Sequence, residues 1–366
     1  MKRRPFNLNK AFGVEIEFIC PPNTDRNEVA RFIGRKFDKL DRTSSYNIVC
    51  GSYSRNNGYD ANSWYMKTDS TVHPNRRQSR NQMQGGNELV SPKLVGMDGF
   101  KQLNIVLGVM SDLGCEVNKS CGLHVHHDIT DVRNNTESHS ATTIRKASKT
   151  ITNLILLVSR WERFIFMMLP KSRRPRSMGH GCGEKSTWCL PVSDRFDNTF
   201  TTHFDSGIPK IRMNLSKRVS RITRMLTERS ARFQHCRTVG LNFYKFWIQG
   251  SVEFRYGGGS LSYEKIMNWV VFTQAFVNTA KDTNSISHLY ESPYGDSTSL
   301  NRGVDWMKRN LGMVGATDTN PVEQYTEDYD IDVRGCILTV DEDATQAHRL
   351  VAEASTWVNR RMREMN

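Results

Sequence analysis

Apolar positions along this chain keep two different periods, and the switches between them mark out its elements. FGVEIEFIC, at 12–20, alternates and is rich in β-branched and aromatic residues, which predicts a strand. DRNEVARFIGRKFDKL (25–40) and GFKQLNIVLGVMSDLG (99–114) carry helical spacing, and the second ends on a glycine, as a helix should. WYMKTDS (64–70), NELVSP (87–92) and GLHVHHDI (122–129) read as further strands. A long helix is expected over about 142–168, whereas 171–205 loses its period among Gly, Pro and Ser. A basic segment at 208–233 leads to VGLNFYKFW and GSVEFRY, two strands joined by a tight turn at Gln249-Gly250. LSYEKIMNWVVFTQAFVNTA (261–280) is an apolar helix, followed by a polar stretch (282–334) and an amphipathic helix near 341–364. No internal repeat is visible. Strands and helices at irregular spacing, with at least one hairpin, predict an α+β fold on a mostly antiparallel sheet packed with helices.

The polar positions of the strands are chemically unusual. In GVEIEF, Glu15 and Glu17 point to one face, roughly 7 Å apart. GLHVHHD sets His124 and His126 two apart over Leu123 and Val125, and SVEFRY sets Glu253 and Arg255 over Val252, Phe254 and Tyr256. NELVSP adds Glu88. Any one of these strands fits a half-solvated sheet with its polar side out. Together they argue otherwise. Their polar residues are Glu, His and Arg, where a wet sheet face usually shows Thr, Ser and Lys. Four carboxylates converging on one face would repel unless cations sat among them. Carboxylate and imidazole suit a divalent metal, and Arg suits phosphate.

Composition narrows the classes. The chain has 366 residues with 37% apolar, including 17 Phe, 7 Trp and 11 Tyr, which is enough for a packed core and too much for a disordered chain. No run of about 18 apolar residues occurs, so no membrane span is expected. MKRRPFNLNK is basic without the apolar segment of a signal peptide. Eight cysteines without a CxxC pair read as reduced, mostly buried thiols. A net charge of +13 suits an anionic partner, whether nucleotide, nucleic acid or acidic polymer.

FGVEIEF, the Asp-Ser of KTDSTV, NELVSP, CGLHVHHD and SVEFRYGGGSLSYEKIMNW occur in the order and rough spacing of the amidoligase family. Over about residues 11–280 the chain thus resembles carboxylate–amine ligases related to glutamine synthetase and glutamate–cysteine ligase. The resemblance implies a curved, glutamine synthetase-like catalytic domain over 1–285, with 286–366 as an appended polar segment and helix. It implies two or more Mg²⁺ or Mn²⁺ ions and ATP. Glu17 and Glu88 would share one metal, and Glu15, His124 and Glu253 another. His126 would lie towards the nucleotide, Arg255 would hold the γ-phosphate, and Asp69 would orient the attacking amine. PKSRRPR (170–176) resembles a family segment whose arginines, here Arg173 and Arg174, would bind phosphate or the substrate carboxylate. His127-Asp128 departs from the family pattern, which favours an apolar residue after the second His.

The implied reaction is ATP-dependent formation of an amide or isopeptide bond through an acyl phosphate. Substrates would be a carboxylate and an amine, peptide or cell-wall derived among others, in the cytoplasm of a bacterium or made there by a phage. Oligomeric state is open, and relatives in the glutamine synthetase group often form rings. Two rival readings come from other classes. One is a catalytically silent basic scaffold, associated with nucleic acid or a virion. The other is a zinc hydrolase using His124 and His126. GCGEKST (181–187) lacks the spacing of a phosphate-binding loop, and the glycines of YGGGS (256–260) suit either close backbone approach to a nucleotide or a plain strand end. On a helix, KIRMNLSKRVSRITRMLTERSARF (210–233) presents an apolar stripe and a basic face.

Overall fold

The computed structural model describes residues 10–40, 46–51, 60 and 62–130, most of 149–192 and most of 238–282. The basic segment 208–233 and the C-terminal part 286–366 lie outside the described residues. The chain divides into two compact units. The first is built from Leu8–His126 and Gly257–Met267, and the second from the described residues within His127–Tyr256 and Asn268–Asn366.

In the first unit, β1 (Phe12–Cys20), β2 (Asn47–Cys50), β3 (Ser63–Thr68), β4 (Gln84–Val90) and β5 (Gly122–Asp128) line up in the order β2-β3-β4-β1-β5. β1–β4 and β3–β4 are antiparallel, while β2–β3 is parallel, so the sheet is mixed. The expectation of a mostly antiparallel α+β arrangement missed β2. That four-residue strand is largely exposed and carries no alternating pattern to reveal it. The helices are α1 (Arg26–Leu40), α2 (Arg76–Arg80) and α3 (Gly96–Asp112). Three of the boundaries have a visible local cause. The backbone N–H of Glu28 donates to Asp25 Oδ1 at 2.8 Å, capping α1, and Asn75 with Gln78 forms a capping box on α2. Gly114, at φ +80°, takes the left-handed turn just beyond α3.

Register decides what each sheet face carries. The row Ile16–Leu89–Met66 is fully buried, and the helices cover that side: Val29, Ile33 and Phe37 of α1 are buried with Phe100, Leu103 and Leu107 of α3. Phe12 and Phe100 bring their ring centroids to 4.8 Å, and the Trp64 indole donates to Gln102 Oε1 at 3.1 Å. Each large apolar side chain buried here contributes about 1.5–3 kcal/mol. Period-2 alternation then delivers the neighbouring row, Glu17–Glu88–Lys67, to the opposite face.

The second unit contains β6 (Leu241–Asn242) and β7 (Ser251–Gly258), paired antiparallel with Asn242 opposite Glu253. Among the described residues of the predicted strand VGLNFYKFW, only Leu241 and Asn242 are in a strand. Its chain turns away at Phe243, whose carbonyl accepts from the Phe246 N–H at 3.0 Å, and Gly250 returns it at φ +69°. The described residues within 149–166 are helical. α4 runs Tyr263–Asp282, within two residues of the expected bounds at each end.

Candidate metal centre

The centre grows from the polar face of β1. Glu17 is 5% exposed, and its Oε2 accepts the backbone N–H of Gly122 at 2.6 Å. That bond fixes one carboxylate oxygen and leaves Oε1 directed at His124, whose Nε2 is 3.6 Å away. His124 sits on β5, beside β1, and is itself 3% exposed. Its other ring nitrogen, Nδ1, lies 3.0 Å from Glu15 Oε2. His126, two residues on, reaches Glu15 Oε1 with Nε2 at 3.1 Å. One imidazole therefore stands between two carboxylates, and one carboxylate stands between two imidazoles. On the far side of Glu17, Glu88 of β4 is its direct cross-strand partner, and Lys67 of β3 is next in the row.

Charge is unevenly distributed across this row. Burial pushes the Glu88 carboxyl up to about 8, and the Glu15, Glu17 and Asp69 charges add to the rise while Lys67 opposes it. Glu15 is held well below the usual carboxylate range, because the hydrogen bonds and charges of His124 and His126 outweigh its burial. Without a cation the face therefore stores a proton on Glu88. Glu17, Glu88 and His124 can each offer one ligand atom, all within 4.8 Å of one another. Two carboxylates and an imidazole, close enough to share one ion, are a donor set that fits a divalent cation.

Glu15, Glu17, Glu88, His124 and His126 are thus gathered on one face. Asp69 follows β3, half-buried, and its Oδ1 accepts both the N–H and the hydroxyl of Thr71 at 2.7 Å. It is close enough to Glu88 to raise that carboxyl. The remaining sequence candidates belong to the second unit. Glu253 of β7 is 4% exposed and accepts from Asn242 Nδ2 at 2.8 Å and from Arg255 Nη1 at 2.5 Å. Arg173 and Arg174 are buried around a short 3₁₀ turn (Lys171–Arg173), with Arg174 Nε donating to the Leu169 carbonyl at 2.8 Å.

Two residues of the centre escaped the sequence reading. Lys67 is visible only through the β3–β4 register. Gly122 acts through its backbone N–H, which has no residue-type signal. Gly259 donates its N–H to the Cys121 carbonyl at 2.9 Å, and a Cβ there would lie 2.5 Å from Cys121 Cβ. That glycine of YGGGS permits close approach to the backbone that holds Glu17. His127, the departure from the family pattern, is a core residue of the second unit: it is 1% exposed and its Nε2 meets Thr273 Oγ1 at 2.7 Å. Among the described residues no cluster of metal-ligating side chains includes a cysteine.

No curated protein matches the chain. A crystal structure of a bifunctional glutathione synthetase from Pasteurella multocida aligns at 12% identity and a TM-score of 0.34, covering 97% of this chain and 52% of that one. The chain therefore spans about half the length of that structure. The stretch carrying Glu15, Glu17, Asp69, Glu88, His124 and His126 is a different matter: residues 8–172 match the family model described as "Putative amidoligase enzyme".

Proposed function

We propose that the protein is an ATP-dependent carboxylate–amine ligase with a glutamine synthetase-like site, forming an amide or isopeptide bond through an acyl phosphate. The observation that carries this reading is the Glu17, Glu88 and His124 donor set within the segment that matches the amidoligase family model. Those three residues would hold one Mg²⁺ or Mn²⁺, and Glu15 and Glu253 would serve a further ion. Bound there, the ions would neutralise phosphate charge and polarise the transferred group. Gly122 keeps Glu17 aimed with one oxygen free, and His124 and His126 keep Glu15 ionised. Arg255 would meet the γ-phosphate, exchanging its bond to Glu253 for a bidentate contact. His126 would lie towards the nucleotide, Arg173 and Arg174 would bind phosphate or the acid substrate, and Asp69 would orient the amine or take its proton. Such a site works mainly by positioning and charge neutralisation.

The test is ADP release by purified protein with Mn²⁺, ATP and panels of acids and amines. Turnover and nucleotide binding that survive both Glu17→Ala and His124→Ala would sink the assignment. The net charge of +13 favours one other reading, a silent basic scaffold for nucleic acid. Salt-dependent DNA binding with no measurable affinity for ATP would select it.

A further inference from the structure

Cys20 ends β1, and Cys115 lies three residues beyond α3. Neither the sequence spacing nor the proposed chemistry connects them. The backbone does. Ile19 and Glu116 exchange both of their hydrogen bonds, Ile19 N–H to Glu116 O at 2.8 Å and Glu116 N–H to Ile19 O at 3.0 Å, in an isolated antiparallel bridge. A pair that exchanges both bonds is the wide pair of an antiparallel ladder, and the next residues along are a narrow, non-hydrogen-bonded pair. One step forward from Ile19 and one step back from Glu116 are Cys20 and Cys115. Side chains of a narrow pair share a face, with Cα atoms about 4.5 Å apart. Disulfides span Cα separations of about 4.4–6.8 Å, so this register lies inside the bonding range, at its close end.

We infer that Cys20 and Cys115 are a cross-strand dithiol that closes to an intramolecular disulfide in the folded protein when a low-molecular-weight disulfide is supplied. Both are free thiols in the structure, Cys20 fully buried and Cys115 7% exposed. The slightly open Cys115 is the entry point. Its thiolate attacks one sulfur of the small disulfide and releases one small thiol, leaving a mixed disulfide on Cys115. The Cys20 thiolate then attacks Cys115 Sγ and displaces the second small thiol. Two protein thiols lose two protons and two electrons, and one small disulfide becomes two thiols. Burial pushes the Cys20 thiol up to about 12 and the Cys115 thiol higher still, with each helped by neighbouring groups. Exchange is therefore slow at neutral pH and does not compete with an exposed thiol such as Cys50. The closed ring would tie the end of the strand that carries Glu15 and Glu17 to the segment after α3. It would enclose most of the first unit, which limits the unfolded chain strongly.

The experiment treats the folded, metal-free full chain with excess oxidised glutathione at pH 8 for hours, then alkylates, digests and maps the peptides. The Cys50→Ser variant is run in parallel, because Cys50 lies near Cys20 and is the competing partner. The expected result in both proteins is a Cys20–Cys115 linked peptide, a mass two hydrogens lower, and a melting temperature raised by several degrees that reducing agent restores. A Cys20–Cys50 link, a link that forms only in urea, or Cys20 and Cys115 still alkylated while Cys50 carries glutathione would each overturn the inference.

Discussion

Glu17 of β1 and Glu88 of β4 are direct partners across an antiparallel ladder, an arrangement that places two carboxylates side by side on a mostly buried face. Burial first, and then the Glu15 charge with smaller contributions from Glu17 and Asp69, pushes the Glu88 carboxyl up to about 8. The folded value lies above the ordinary 4.5, so between those limits the folded state binds a proton that the unfolded chain has released. Metal-free protein should lose stability as pH climbs from about 5 to 8, a window in which Glu15, held low, no longer titrates. Mn²⁺ should restore more stability at pH 8 than at pH 5, because at pH 5 it must first displace the proton. Glu88→Gln should flatten the metal-free profile and abolish the Mn²⁺ effect. Thermal melts across pH, with and without Mn²⁺, measure all three.

Gly259 should tolerate no side chain. An added Cβ would stand 2.5 Å from Cys121 Cβ and 3.1 Å from the Cys121 carbonyl carbon, and Gly122, the next residue, supplies the N–H that fixes Glu17. Gly259→Ala should cost about 1–3 kcal/mol by overpacking and weaken Mn²⁺ binding as well. Gly108 provides the contrast: it is exposed within α3, and nothing lies within 4 Å of its added Cβ. Gly108→Ala should stabilise by about 0.5–1 kcal/mol and leave Mn²⁺ affinity unchanged. Denaturant titration and calorimetric metal titration separate the two effects.

The contrast between these two glycines also marks where the sequence stops being informative. Alternation within β1 and β5 is local, so Glu15, Glu17, His124 and His126 could be read as facing one way before any pairing was known. The helices α1 and α3 were equally legible from their period and their ends. Pairing register is not local. The placement of Glu88 opposite Glu17, of Lys67 beyond it, and of Cys115 beside Cys20 depends on which strands meet and by how much they are offset. Backbone donors such as the Gly122 N–H have no residue-type signature at all. The end of VGLNFYKFW was misread because its apolar run continues through a turn, where burial of Phe243 and Phe246 keeps the pattern apolar without a strand.

Tyr256 in the second unit is predicted to matter for stability. Its hydroxyl donates to Glu162 Oε1 at 2.5 Å, and the same oxygen accepts the Val192 N–H at 2.7 Å. Both side chains are nearly inaccessible, so the carboxylate depends on these donors for compensation. Tyr256→Phe removes one donor without changing the packing against Phe166, whose ring lies at 5.4 Å in an edge-on arrangement. The expected cost is about 1–3 kcal/mol in chemical denaturation.

His124 and His127 stand three residues apart on β5 and should respond oppositely to mutation. His124 meets carboxylates at both ring nitrogens, through Glu15 and Glu17. His127 meets a threonine hydroxyl and packs edge-on against Phe254 at 5.8 Å. The Thr273 hydroxyl already donates to the Trp269 carbonyl at 2.8 Å, so it keeps a partner when the imidazole is lost. His127→Leu should therefore cost only about 1–2 kcal/mol of stability and leave Mn²⁺ affinity within a few-fold of the parent. His124→Ala should weaken Mn²⁺ binding by more than the ~10–100-fold typical of a lost supporting partner, since a ligand itself is removed. It should also let the Glu15 carboxyl rise, because the hydrogen bond and charge of His124 help to hold it down. Metal titration followed by calorimetry, alongside denaturant melts of both variants, distinguishes a ligand from a core residue. Equal loss of metal affinity in the two would place His127 at the centre and remove the distinction drawn between them.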